Sequence, residues 1–399
     1  ELTLTATPDP GYYLQGWYDA NGVLISIANE LDIVMDSNQV LEVRFRLPKR
    51  IEVSGQDVSL AQAVNTAENG DILVVAAGTY DGDIDFRGKE IKLVSTNPDD
   101  PNIIAGTIID CGNATRAFTF NNGEGPGSMI NGFTIINGTL FADHGGAIYI
   151  GPDSSPTIVN VTIRDCQVTY GSGGAIYIDA NSAPTFENVT IINCATVGIS
   201  VLTDPNDPNS AITIGGGNGG GVYLNTNSRP VFTNCTISDC STDGSGGAVY
   251  CGSYSSAIFT RTLFLRNNAS LSGGGIYHAS HSASIFNLCT LNNNQADYSG
   301  GGIFYNIGCN SDVTDCNFAG NNALGAITTS VLTDPNDPNT LVTTTDNSPV
   351  GMGGGIYCNS DSYITVASSN FERNSAEEGG GFYLDVNSVG EVYDCNIAE

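Results

Sequence analysis

Basic side chains are scarce in this chain of 399 residues: 13 Lys and Arg stand against 42 Asp and Glu, a formal charge of −29. Such a surface repels the phosphates of nucleic acid and an anionic membrane, so neither partner is expected. No apolar run reaches the ~18 residues of a spanning helix, so no membrane span is expected in this segment, and no signal peptide opens it. The 11 cysteines contain no Cys-X-X-Cys pair, which argues against a zinc site and against a small disulfide scaffold. Glu1 opens in strand-like sequence and Glu399 falls inside a repeat, so the expectation is a processed or truncated part of a larger protein.

What the chain has in excess is glycine, 49 residues of it, in a strict pattern. Gly-Gly-[Ala/Gly]-[Ile/Val/Phe]-[Tyr/Phe] begins at Gly145, Gly173, Gly219, Gly246, Gly273, Gly300, Gly353 and Gly379. The period is about 27 residues, and two long intervals carry insertions of roughly 19 and 26 residues. Each insertion contains SVLTDPNDPN, at Ser200–Asn209 and again at Ser330–Asn339.

Sixteen positions after each first Gly stand Val161, Val189, Cys235, Thr262, Cys289, Cys316, Ser369 and Cys395; two further on are Ile163, Ile191, Ile237, Phe264, Leu291, Phe318, Phe371 and Ile397. Apolar residues at i and i+2 mark a strand with one buried face. Most cysteines thus fall in core columns and are read as buried free thiols behaving like small hydrophobes, with a disulfide between successive coils, such as Cys289 with Cys316, as the alternative. Cys166, Cys194, Cys240, Asn267, Asn294, Asn321 and Asn374 share a turn column, where Asn is expected to take left-handed backbone and stack its amides coil on coil. The double Gly marks a second corner too tight for a side chain.

These features predict an all-β parallel β-helix of about eleven coils of ~27 residues, with a small N-terminal β module and a helical N-terminal cap. Residues 1–47 form the module, with turn signals PDPG, ANG and DSN and the sole Trp, Trp17. Residues 48–57 read as a linker and 58–399 as the β-helix, with insertions around 195–218 and 323–352. The cap helix spans 58–68: Ser59 is its N-cap, and Leu60, Ala63, Val64 and Ala67 share one face.

The GGAIYI, GGGVYL and GGGIYC units with NCTIS-like strands resemble the right-handed parallel β-helix repeat proteins of bacterial cell surfaces, including the GGAI-type repeats of polymorphic outer-membrane proteins. TLTATPDPGYYLQGW and DSNQVLEVRF resemble the divergent InlB-type B-repeat of secreted surface proteins. The resemblance implies that the β-helix is right-handed, and an exported, extracellular or cell-surface bacterial protein, adhesive or structural. The fold is also that of pectate lyases and polygalacturonases, so it does not decide the function.

A lyase of this fold needs a base, and a cation or Arg/Lys to neutralise the uronate carboxylate. Lys49, Lys89 and Lys92 lie near the cap, while Arg164, Arg229, Arg261, Arg266 and Arg373 occupy different columns. His144 has Ser172, Asn218 and Ser245 as column neighbours rather than acids, and His278 and His281 share one loop without acids nearby. The chain is therefore read as a non-enzyme with no catalytic residue; a polysaccharide lyase or glycan-binding β-helix is the alternative.

Two features remain. Tyr149, Tyr177, Tyr223, Tyr250, Tyr277, Phe304, Tyr357 and Tyr383 form an outward aromatic ladder, either a sugar- or protein-binding row or simply rings stacked on each other. Both SVLTDPNDPN arms leave the same edge and read as short hairpins about 19 Å apart, at about 4.8 Å per coil. Asp204, Asp207, Asp334 and Asp337 have oxygens for calcium, but without the spacing of a dedicated loop. Asp204, Asn206, Asn209, Asp334, Asn336 and Asn339 are the candidate subunit-contact residues. A rigid acidic turn, calcium binding and subunit contact all stay open, with contact a better fit than metal for two identical arms. The expectation is a self-assembling structural or adhesive protein of a cell surface, filament or biofilm matrix, needing no cofactor unless calcium, its partners other copies of itself or surface polysaccharide.

Overall fold

The computed structural model describes residues 2–54, 59–202, 211–214, 216–325, 328–334, 337–346 and 350–398. In the N-terminal module, Leu2–Thr5 pairs antiparallel with Glu30–Ile33. Tyr13–Tyr18 lies between Leu24–Ser26 and Glu42–Arg46. The turns follow from their residues: the Asp19 carboxylate accepts the backbone N–H of Asn21 at 2.9 Å and of Val23 at 2.8 Å, folding the ANG hairpin over itself. Ala6, Leu14 and Trp17 form a separate small core, and the Trp17 indole donates to the Ala28 carbonyl at 2.9 Å.

Arg50–Val53, placed in the linker by its sequence, pairs parallel with Ile72–Val75 instead, so the β-helix begins within 48–57. Alternation in Arg-Ile-Glu-Val is the signal, outweighed in the sequence by its basic neighbours. The cap helix is Leu60–Thr66, with a full capping box between Ser59 and Gln62, and it buries Leu60, Ala63 and Val64 on the first coil. A second helix, Pro101–Gly106, was not expected. Asp100 caps it by accepting the Asn102 N–H, and Pro101 takes the first turn, where a missing N–H costs nothing.

Each coil then visits three sheets. The units Ile148–Ile150, Ile176–Ile178, Val222–Leu224, Val249–Cys251, Ile276–His278, Ile303–Tyr305, Ile356–Cys358 and Phe382–Leu384 stack in register, within a ten-stranded parallel sheet, the Tyr face. The chain next crosses a 21-stranded long face in two short strands, such as Ile258–Thr260 and Leu263–Leu265, and returns along a seven-stranded short face. Ring columns fill the interior: Phe186, Phe232, Phe259 and Phe286 stack at 4.6–5.1 Å. All 11 cysteines are unpaired, and all but Cys395 are buried, as their columns predict.

The corners explain the glycines. Gly145 has φ +67°, and a Cβ on Gly146 would stand 2.3 Å from the carbonyl oxygen of Gly174 in the next coil. The Asn column corrects the sequence reading. Its left-handed residues are the preceding ones, Asp165, Asn193, Asp239, Arg266, Asn293 and Arg373, with φ between 52° and 59°. The column itself points inward: Asn267, Asn294, Asn321 and Asn374 pass amide hydrogen bonds from coil to coil at 2.8–2.9 Å.

A further left-handed column runs through Asn160, Asn188, Asn234, Arg261, Leu288, Asp315 and Ser368. Leu288, at φ +56° and exposed, has no polar atom to offset the strain of that backbone. Leu288→Asn is expected to raise stability by about 0.5–1 kcal/mol, read as a higher urea midpoint at unchanged slope.

Candidate functional site

The insertions form antiparallel hairpins, as their flanks predict: Ile199–Leu202 pairs with Ala211–Ile214, and Thr328–Asp334 with Asp337–Asp346. Both leave between a short-face strand and the next Gly corner. Asp204, Asn206, Asp207, Asn209 and Asn336 lie outside the described residues. Asp334 and Asp337 are register partners at the tip of the second hairpin, and Asn339 lies in its return strand. Among the described residues no group of three or more His, Cys, Asp or Glu is placed to hold a metal ion.

The aromatic ladder is continuous. Consecutive rings from Tyr149 to Tyr383 stack with centroids 4.7–5.6 Å apart and planes within 14°. In-register strands force this, because each coil repeats the backbone position of the last. Ring faces are therefore spent on neighbouring rings, and outward they present edges and hydroxyls. Sugar stacking requires a free face. At the N-terminal end Arg116 lies over Tyr149, its guanidinium carbon 5.1 Å from the ring centroid.

Among the described residues that end is where a cation and a His meet the rings of the ladder, and the sequence reading did not find it. Arg116 forms an ion pair with Asp143. His144 stacks on Tyr177 at 4.6 Å, and its Nδ1 accepts the Ser172 N–H at 3.0 Å. Tyr149 donates its hydroxyl to Asp179 at 3.0 Å, and Asn225 donates to both Asp179 and Tyr177. Burial, aided by Arg116, pulls His144 below its ordinary value against the field of Asp143, so the ring is neutral at pH 7. The missed signal was register: Phe118 pairs with Ile148, which sets Arg116 beside Gly146, one coil before the regular Gly-Gly units.

His278 and His281, read as sharing a loop, face opposite sides. His278 is fully buried against Tyr305, and burial pushes its pKa down to about 3; His281 stacks on Tyr254 outside. Neither joins the Arg116 cluster.

Burial raises Tyr149 and Tyr357, with help from Asp179 and Asp385 respectively, both pushed up to about 12. Tyr177, Tyr223, Tyr250 and Tyr277 shift the same way. A folded value above the ordinary 10.0 contributes stability that is full below pH 10 and is lost as pH rises through about 12. Titrating tyrosinate absorbance alongside circular dichroism should find the ladder ionising together with alkaline unfolding, and not before it.

Stacked parallel coils, an inward Asn ladder and an outward ring ladder define a parallel β-helix repeat protein. The model of the right handed beta helix region family matches residues 94–215 and 174–337, more than half of the chain. The chain belongs to this family. Residues 1–48 match the divergent InlB B-repeat domain. No curated protein matches. Among solved structures, Geobacillus virus E2 ORF18 is similar at 13% identity and a TM-score of 0.49, over 87% of this chain and 62% of that one. The PL6 family alginate lyase AlyGC is similar at 16% identity and a TM-score of 0.32, over 75% of this chain and 39% of that one. The A-module of the Azotobacter vinelandii mannuronan C-5 epimerase AlgE6 follows at 11% and 0.23, over 85% and 93%. Among the described residues, no helix is long and apolar enough to cross a membrane.

Proposed function

We propose that the chain is a non-enzymatic structural or adhesive rod, extracellular and attached to a bacterial surface or matrix, which assembles with copies of itself. The observation that carries this reading is the closed outer ladder: ring faces are consumed by neighbours, and Arg116 is committed to Asp143 and Tyr149. Asp83 and Asp179 also lie near this cluster, so its charge is net negative and unsuited to a uronate carboxylate. The B-repeat match at residues 1–48 supports a surface setting. Calcium at the arms belongs to this proposal as a regulator of contact.

A second reading, glycan binding or cleavage, draws on the convergence of Arg116, His144, Tyr149 and Asp179. The two are separated by incubating the protein with neutral, amino-sugar and uronate polysaccharides and following reducing ends and unsaturated-uronate absorbance. The scaffold reading expects neither signal. A signal that disappears in His144→Ala would replace it with the second reading.

A further inference from the structure

Eight of the ten arginines have a carboxylate partner within salt-bridge distance. Among the described residues Arg229 and Arg261 have none; Arg261 holds only the side-chain oxygen of Asn234, at 2.6 Å. In a chain of charge −29 that pairing rule is easily met, so two exceptions on successive coils need a reason. Register places Arg229 two residues before Val231, whose partner Ile258 is three residues before Arg261. Arg229 therefore stands one coil before Ile258, and Arg261 lies on the long face between Ile258 and Leu263, its side chain turned to Asn234 of the preceding coil.

This strip of the long face gathers exposed aliphatic side chains in mid-solenoid; elsewhere on that face, among the described residues, the large exposed apolar side chains are Tyr363 and, in the last coil, Val389, Val392, Tyr393 and Ile397. Ile258 and Ile285 are direct register partners, 38% and 45% exposed, and Leu263 and Leu288 beside them are 37% and 48% exposed. The same outward column holds Thr157, Thr185 and the half-buried Val231 before the strip and Asp312 and Thr365 after it. Leu288 keeps a strained left-handed backbone at a corner where the other coils use Asn, Asp, Ser or Arg. A strained, exposed aliphatic side chain contributes little to the fold that displays it.

We propose that this strip, Ile258, Leu263, Ile285 and Leu288 with Arg261 among them and Arg229 one coil before, docks a second copy of this chain through an acidic, aliphatic segment. Charge complementarity selects the occupant: a second copy brings 42 acidic residues, and its two SVLTDPNDPN arms each set Val and Leu beside two Asp in sequence. The inference rests on the self-assembly reading and names the surface that would serve it.

Sedimentation velocity of the whole chain tests it. At about 50 mM salt, association should rise with concentration, and at about 0.5 M it should weaken at least tenfold. Arg229→Glu with Arg261→Glu should leave a monomer at low salt. Ile258→Thr with Ile285→Thr, which restores the residue other coils use, should weaken association about tenfold at an unchanged melting temperature. Leu288→Asn should weaken association while raising stability, an opposite pairing that a purely structural residue would not give. Association untouched by the arginine reversals overturns this surface and leaves the scaffold standing; a wild-type monomer at low salt overturns both.

Discussion

Asn294→Ala is expected to lower unfolding free energy by roughly 3–5 kcal/mol. Asn294 is fully buried inside the solenoid. Its side-chain oxygen accepts both the backbone and the amide N–H of Asn267, and its own amide donates to the Phe264 carbonyl and to Asn321. Alanine strands the Asn267 donors and the Phe264 carbonyl where water has little access, at about 1–3 kcal/mol for each group left unpaired. Asn294→Cys should cost less, because Cys166, Cys194 and Cys240 fill the same column higher up, where their thiols donate to a carbonyl two residues back. Urea unfolding of both variants measures the difference. Equal costs would mean that size rather than hydrogen bonding governs the column.

Asp71→Asn should be nearly as severe, about 2–4 kcal/mol at neutral pH, and should alter the acid limb of stability. Asp71 is buried where the small module meets the cap. It pairs with Arg46 and accepts the Lys49 and Glu68 backbone N–H groups at 2.8 and 2.9 Å. Burial opposes its ionisation, but the hydrogen bonds from Arg46, Glu68 and Lys49 outweigh it and hold the carboxyl below its ordinary 3.8. A depressed folded value gives stability that is present above 3.8 and lost as pH falls through the folded value. The asparagine variant should therefore show a flatter decline below about pH 4 than the parent. Arg46 keeps Glu68 at 2.7 Å, which limits the loss at neutral pH. Identical acid limbs in parent and variant would place the acid sensitivity elsewhere.

The solenoid could be read from the sequence because the fold repeats its geometry with its residues. A Gly every ~27 positions, Ile or Val three later and a ring after that need no long-range knowledge, since each coil makes the same contacts as the last. The cap helix was legible for the same local reason, with Ser59 and Gln62 closing its capping box. What escaped the sequence lay where periodicity lapses. Arg50–Val53 is a strand with basic neighbours, Pro101–Gly106 a helix opened by a Pro-containing turn, and Arg116 belongs to a coil without its double Gly. The Asn column was assigned correctly to a corner but displaced by one residue in its backbone role. Stacking of Asn267 on Asn294 requires an inward side chain, which leaves the left-handed turn to Arg266 and Asn293. The ladder's rings were placed correctly, and only their stacking geometry distinguishes a spent face from a binding face.

Negative-stain imaging with light scattering, on the purified chain with calcium and then with chelator, bears most directly on the central claim. The account predicts ordered filaments or lateral arrays of rods, and their dissolution on chelation would bring calcium into the contact. Isolated, monodisperse rods under both conditions would contradict the scaffold and turn attention to the glycan reading at the Arg116 end of the ladder.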